Sequence, residues 1–228
     1  MSFVISRSRI LRWVLIGSLP VLLLGVVSEI LISQYGSLPF LRDLRHFTFN
    51  SEHNMPSWLS SGLLGAGALL TLWIAHLDPE RRRGWTVHAA VLLACSIDES
   101  VSFHETLITV FAWMRDYSVL LYFPWVLFGG TFCLFYGLFI LRLLSGIGRE
   151  HFVRFAASGI VFVAGALVME VVGGAIGAHY GERSLAYALG TSTEDILETL
   201  GAFLYLRAAS LYAMERMEAL NTEILIRD

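Results

Sequence analysis

The sequence predicts an all-α polytopic membrane protein, a bundle of six transmembrane helices with both termini in the cytoplasm. Three observations predict it. The chain is 56% hydrophobic and 15% charged, with mean hydropathy +0.65, too apolar for a soluble domain of 228 residues. Apolar runs of spanning length recur between short polar turns. Arginine is spread unevenly over those turns. One transmembrane helical domain is expected over 1–228.

The first span is expected at about 13–32. Arg7, Arg9 and Arg12 precede it, but the run is long and has no small-x-small cleavage site at its end. A retained helix is therefore favoured over a signal peptide. Residues 34–56 form a polar connection. The second span, 58–77, is rich in Gly, Ser and Ala, which allow close helix packing. Asp78 to Glu80 and the arginines at 81–83 make a charged, topogenic turn. The third span is expected at 85–113. After a tight turn at 115–117, the fourth is expected at 119–144, with Tyr122 and Trp125 as interfacial aromatics. The fifth is expected at 152–178 and carries Glu170. Residues 179–190 read as a loop, and the sixth span follows at 191–212. The charged tail, 214–228, reads as an amphipathic helical continuation.

With the N-terminus inside, twelve arginines fall on the cytoplasmic side and four on the other. The positive-inside rule favours that orientation and a multi-pass membrane protein. All sixteen cationic residues are Arg, which excludes lysine Schiff-base chemistry, including a retinal linkage. A net charge of −3 gives no case for nucleic-acid binding. Cys95 and Cys133 read as small apolar fillers. No internal repeat is evident, which weakens an inverted-repeat transporter.

The third span holds the feature that needs explaining. Asp98, Glu99, His104 and Glu105 fall within eight consecutive positions, with no cation among them. Each ionisable group near a bilayer centre costs about 2.5–3.5 kcal/mol. At about 1.5 Å rise per residue, Asp98 and Glu99 sit near mid-bilayer, and His104 and Glu105 about 10 Å further out. Glu170 on the fifth span, and Glu194, Asp195 and Glu198 on the sixth, fall in the same outer half. Glu29 on the first span falls at similar depth. On a continuous helix Asp98, Ser102 and Glu105 share one face. Gly165, Gly173, Gly174 and Gly177 would let neighbouring helices approach Glu170.

Carboxylates from facing helices plus a histidine resemble the donor sets of di-iron and di-manganese bundles, although the Glu-x-x-His spacing is absent. A metal site, with one or two ions of iron, manganese or zinc, is the leading expectation. Its ligands would be Glu99, His104, Glu105, Glu170, Glu194 and Glu198, with Asp98 and Glu105 as catalytic proton-transfer groups. Bland readings compete. Glu194 and Asp195 follow Thr191-Ser192-Thr193, and capping a helix start is favoured for these two taken alone. Glu29 reads as snorkelling to the interface. His104 alone reads as a hydrogen-bonded interior histidine more than as a ligand; beside Glu105 and Asp98 the two readings weigh evenly. His76, His88 and His151 share the inner interface, but haem ligation is disfavoured. Whether His46, Glu52 or His53 folds over the site stays open.

Four separated pieces, Asn54-Met55-Pro56-Ser57-Trp58, Ser96-Ile97-Asp98-Glu99 with His104-Glu105, Glu170, and Glu194-Asp195-Ile196-Leu197-Glu198, resemble a family of bacterial six-span inner-membrane proteins of uncharacterised activity. That family's pattern reads N-x-P-[ST]-W, S-x-D-E-x-x-x-x-H-E, a lone E, and E-[ED]-x-L-E. The resemblance covers about 49–201. It implies the six-span fold, a place in a bacterial inner membrane and no activity.

The function expected from the residues is redox or hydrolytic chemistry on a lipophilic substrate at an outer-leaflet metal site. A proton- or cation-coupled transporter or channel is the alternative, disfavoured because Ala89 to Ile97 offer little polar lining below Asp98. A further alternative is an accessory subunit of a larger membrane complex. The bilayer is the expected partner, and a homo-oligomer remains compatible.

Overall fold

A computed structural model describes residues 7–36, 41, 43–49 and 53–227. Its described residues are helical, with no strand among them. The helices are α1 (Arg7–Tyr35), α2 (Met55–Leu77), α3 (Arg82–Val101), α4 (Phe103–Val110), α5 (Trp125–Leu144), α6 (Arg149–Val163), α7 (Glu170–Tyr180) and α8 (Leu185–Arg227). A π-helical turn, Ala164–Met169, joins α6 to α7 as one passage. Helices α1, α2, α5 and the α6–α7 passage are long and apolar enough to cross a membrane, and the bent α3–α4 pair makes a fifth. By the same measure α8 is not apolar enough, although it covers the expected sixth span.

Two expectations are corrected. The third span is not one helix. It breaks at Ser102, whose φ is +59°, and α4 leaves α3 at 66°. The break is closed by Asp98, whose carbonyl accepts the Ser102 N–H at 2.7 Å and whose Oδ1 accepts the His104 N–H at 3.1 Å. One aspartate thus ends α3 and starts α4. The shared-face argument for Asp98, Ser102 and Glu105 therefore fails. The expected loop at 179–190 is also shorter. Gly181, at φ +84°, stops α7, and α8 begins at Leu185, its start marked by the Ser184 hydroxyl accepting from the Tyr187 N–H.

The Asn54 motif is a helix start. Asn54 Oδ1 accepts the Ser57 N–H at 2.9 Å, Nδ2 donates to the Thr48 carbonyl at 2.6 Å, and Pro56 stands in the first turn, where no N–H is needed. At the other end of α2, Asp78 is fully buried and gathers three elements. It accepts from Tyr212 Oη at 2.6 Å and Trp85 Nε1 at 3.1 Å, and Arg81 lies 3.3 Å away. Arg81 also donates to the Gly146 carbonyl at 2.7 Å, which ties in the α5–α6 turn. Trp85, Phe155, Tyr212, Ile74 and Leu144 form the largest buried cluster around this point. This arginine-rich end is the anchored end of the bundle.

Helix α5 is fastened mainly there. Its buried residues are Leu143 and Leu144, and its remaining length stands at the periphery. Glu29 is 5% exposed, so it is turned into the protein rather than snorkelling. Glu52 lies outside the described residues.

Burial raises the Asp78 carboxyl, but hydrogen bonds from Tyr212 and Trp85 and the charges of Arg81 and Arg216 outweigh it and hold the group below the usual carboxylate range. A depressed folded-state pKa contributes stability that is present above the unfolded value and lost as pH falls through the folded one. Thermal unfolding in detergent should therefore show this contribution intact at neutral pH and lost below about pH 4. Asp78→Ala, which orphans two buried donors and removes the arginine's partner, should lower stability by about 3–5 kcal/mol.

Candidate functional site

Four passages line a cavity of about 900 Å³, each along one face, and Ser57 and Leu64 of α2 join them. On α3 the face is Val87, Val91, Ala94 and Asp98, with Glu99 beside it; on α5 it is Trp125, Gly129, Phe132 and Tyr136. The α6–α7 passage contributes Gly159, Phe162, Ala166 and Glu170, and α8 contributes Glu194, Glu198, Ala202 and Tyr205. These are spacings of three and four residues, so the cavity runs parallel to the helices. Its two ends differ. Seven carboxylates and His104 line the end far from Asp78, and no arginine lines the cavity among the described residues. Tyr136 and Tyr205 line the opposite end.

The acid end is built from the helix break upward. Two serines lock the last turns of α3 onto α2: Ser61 Oγ donates to the Ser96 carbonyl at 2.7 Å, and Ser96 Oγ donates to the Ser61 carbonyl at 2.8 Å. That pairing fixes the rotation of α3 and presents Asp98 and Glu99 to the cavity. The turn at Ser102 folds His104 back, so that its Nδ1 lies 2.8 Å from Asp98 Oδ2. A carboxylate on Nδ1 selects the tautomer whose proton is on that nitrogen and leaves the lone pair on Nε2. The His104 ring packs on Trp125, with centroids 4.9 Å apart, and Trp125 Nε1 donates to Glu170 Oε1 at 2.7 Å. Glu194 meets Glu170 across α7 and α8.

Glu99, Asp195 and Glu198 form the tightest group. One carboxylate oxygen from each lies within 4.8 Å of the others, and all three residues are half-buried. Asp195 and Glu198 are i, i+3 neighbours on α8, and Glu99 reaches them from α3. Helix α8 can come this close because Gly165 faces it. A Cβ there would stand 2.8 Å from the Glu194 carbonyl oxygen and 3.0 Å from the Glu198 nitrogen. Gly174 and Gly177 instead receive Tyr122 and Tyr187, and nothing presses on Gly173. The π turn before Glu170 adds a residue to the passage, a device that re-aims side chains in helices.

The structure brings together Asp98, Glu99, His104, Glu170, Glu194 and Glu198 from the sequence reading. Glu105 lines the same end but is exposed, in the first turn of α4. The capping reading of Glu194 and Asp195 is corrected, because both lie well inside α8. Asp195 belongs to the three-carboxylate group and was passed over for that reason; its i, i+3 relation to Glu198 was the available signal. Trp125, read as an interfacial aromatic, bridges His104 and Glu170. His46 and His53 do not line the cavity. At the aromatic end, His88 Nδ1 is hydrogen-bonded to Tyr136 Oη and Thr71 Oγ1 to Tyr205 Oη, polar pairs that sequence reading did not place. His76 and His151 each have a partner elsewhere, Arg82 and Glu215.

A family model, Domain of unknown function (DUF8692), matches residues 13–213. The chain belongs to the DUF8692 family. Every acid of the cavity lies inside the DUF8692 match. Comparison with curated proteins and with solved structures returned no match.

Gly165→Ala should force α8 away from the α6–α7 passage and cost about 1–3 kcal/mol, read as a lower melting temperature in detergent. Gly173→Ala, with open space at its Cβ, should leave that temperature nearly unchanged.

Proposed function

We propose that this protein is a metal-dependent membrane enzyme acting on a lipophilic substrate, with Glu99, Asp195 and Glu198 as the core of the metal site. The observation that carries the reading is the meeting of three carboxylates from two helices at the acid end of the cavity, one oxygen of each within 4.8 Å of the others. Several carboxylate oxygens brought to one point are the donor set of a hard divalent cation. An all-oxygen trio suits manganese, iron or magnesium, and recruitment of imidazole shifts preference toward iron, manganese or zinc.

The other residues take roles around that trio. Asp98 holds His104 through Nδ1, the arrangement that in metal sites orients a histidine and raises the basicity of its other nitrogen. His104 is then a ligand or the base that takes a proton from a metal-bound group. Glu170 and Glu194 complete the site or carry protons, and Trp125 sets the position of Glu170. Glu105, at the exposed rim, is assigned to proton exchange with the outside. The metal would supply Lewis acidity or redox chemistry; the chain supplies the donor set, the proton acceptor and a dry chamber. The topology that fits is six spans, with α3–α4 and α8 among them, both termini cytoplasmic and the acid end toward the outer leaflet of a bacterial inner membrane.

A second reading is cation or proton transport. It is favoured by His88, Tyr136, Thr71 and Tyr205, which add polar groups on the cytoplasmic side of the acid layer. In proteoliposomes, a cation- or proton-driven flux abolished by Asp98→Asn would establish transport; no flux from the wild type argues for the enzyme.

Elemental analysis of chelator-free protein should find about one or two equivalents of transition metal. Glu99→Ala, Asp195→Ala and Glu198→Ala should each reduce metal affinity by about 10–100-fold or more, and Glu105→Ala should leave the metal content unchanged. Metal-free wild type after reconstitution with iron, manganese and zinc would sink the proposal.

A further inference from the structure

We infer that the cavity is a slot for a single straight hydrocarbon chain, with its head group among the acids and its tail end stopped by Tyr136, His88 and Tyr205. The inference rests on the lipophilic-substrate reading above and names the substrate class: a single-chain amphiphile with a neutral or cationic head.

Three helices give the same length. Glu99 and His88 on α3, Trp125 and Tyr136 on α5, and Glu194 and Tyr205 on α8 are each eleven residues apart. At a rise of about 1.5 Å per residue, the acid layer and the aromatic layer are about 16 Å apart. Between them the walls are Val91, Ala94, Phe132, Phe162 and Ala202, with small residues that keep the channel open. The aromatic layer closes it. Tyr136 and Tyr205 face the lumen, His88 lies behind them hydrogen-bonded to Tyr136, and the His88 and Tyr205 rings meet edge-on with centroids 5.3 Å apart. Beyond them the packed cluster around Trp85 fills the bundle.

The charge selects the head, and the volume admits a chain with that head: about 900 Å³ lies near the top of the range for small-molecule sites, about 300–1,000 Å³. Seven carboxylates repel an anionic head. The bilayer is the source. Ala94 on α3 and Phe132 on α5, both between the two layers, line the cavity yet are exposed, so the slot opens sideways between these two helices. Helix α5, fastened at Leu143 and Leu144, forms one lip of that opening.

The test uses the full chain in lipid nanodiscs doped with straight primary alcohols from octanol to octadecanol. Binding is read as the rise in melting temperature over that of Val91→Trp, whose slot is blocked. Chain and bilayer are equally apolar, so binding per mole fraction should stay level up to a cut-off length and drop about tenfold beyond it, where the floor must be strained. Tyr136→Ala should move the cut-off to longer chains, and Tyr136→Phe, which keeps the ring but loses the bond to His88, should leave it in place. If Tyr136→Ala fails to fold, Ala94→Leu should move the cut-off to shorter chains. Equal binding at every length, or a cut-off that neither variant moves, overturns the slot. A movable cut-off in protein that holds no metal supports the slot and sinks the metal reading alone; metal bound with no cut-off sinks the slot alone.

Discussion

Four passages bring a carboxylate, or a tryptophan bonded to one, to the same end of the cavity, and no arginine lines it among the described residues. Asp98 and Glu99 come from α3, Glu170 from α7, Glu194, Asp195 and Glu198 from α8, and Trp125 from α5. Grouping like charges away from water is costly. The fold meets that cost in part with local geometry: a histidine against Asp98 and an indole against Glu170. At Glu99, Asp195 and Glu198 three carboxylates from two helices meet, and the metal proposal rests on that group.

The two ends of the bundle divide the labour. At one end Asp78 ties α2, α3 and α8 together through Arg81, Trp85 and Tyr212, and an aromatic cluster packs around it. That end carries the burial. At the other end the Ser61–Ser96 pair joins α2 to α3, Tyr122 packs on Gly174 and Gly177, and polar contacts among the site residues add to them. Helix α5 shows the division most clearly, with buried leucines at one end and Trp125 reaching His104 and Glu170 at the other. A wall fastened firmly at one end can admit a chain from the bilayer along the rest of its length.

Much of this layer was legible in the chain. Helix rise alone put the acids of the third, fifth and sixth spans at one depth, and the cavity gathers them there. Other features were hidden. The break at Ser102 follows no glycine or proline; it comes from the Asp98 carboxylate competing for the His104 amide, a contact with no sequence signature. Asp195 was masked by Thr191-Ser192-Thr193, which imitates a helix start although α8 begins at Leu185. Glu29 sits at the right depth, yet α1 turns it into a different part of the interior. The polar pairs His88–Tyr136 and Thr71–Tyr205 join residues far apart in sequence, so only the packing of the helices brings them together.

The central claim is that Glu99, Asp195 and Glu198 hold a cation between α3 and α8. Its most direct test is an anomalous difference map from crystals grown with manganese. The account predicts a peak enclosed by the carboxylates of Glu99, Asp195 and Glu198. A map with no peak there, or with manganese bound only at surface acids, would contradict it.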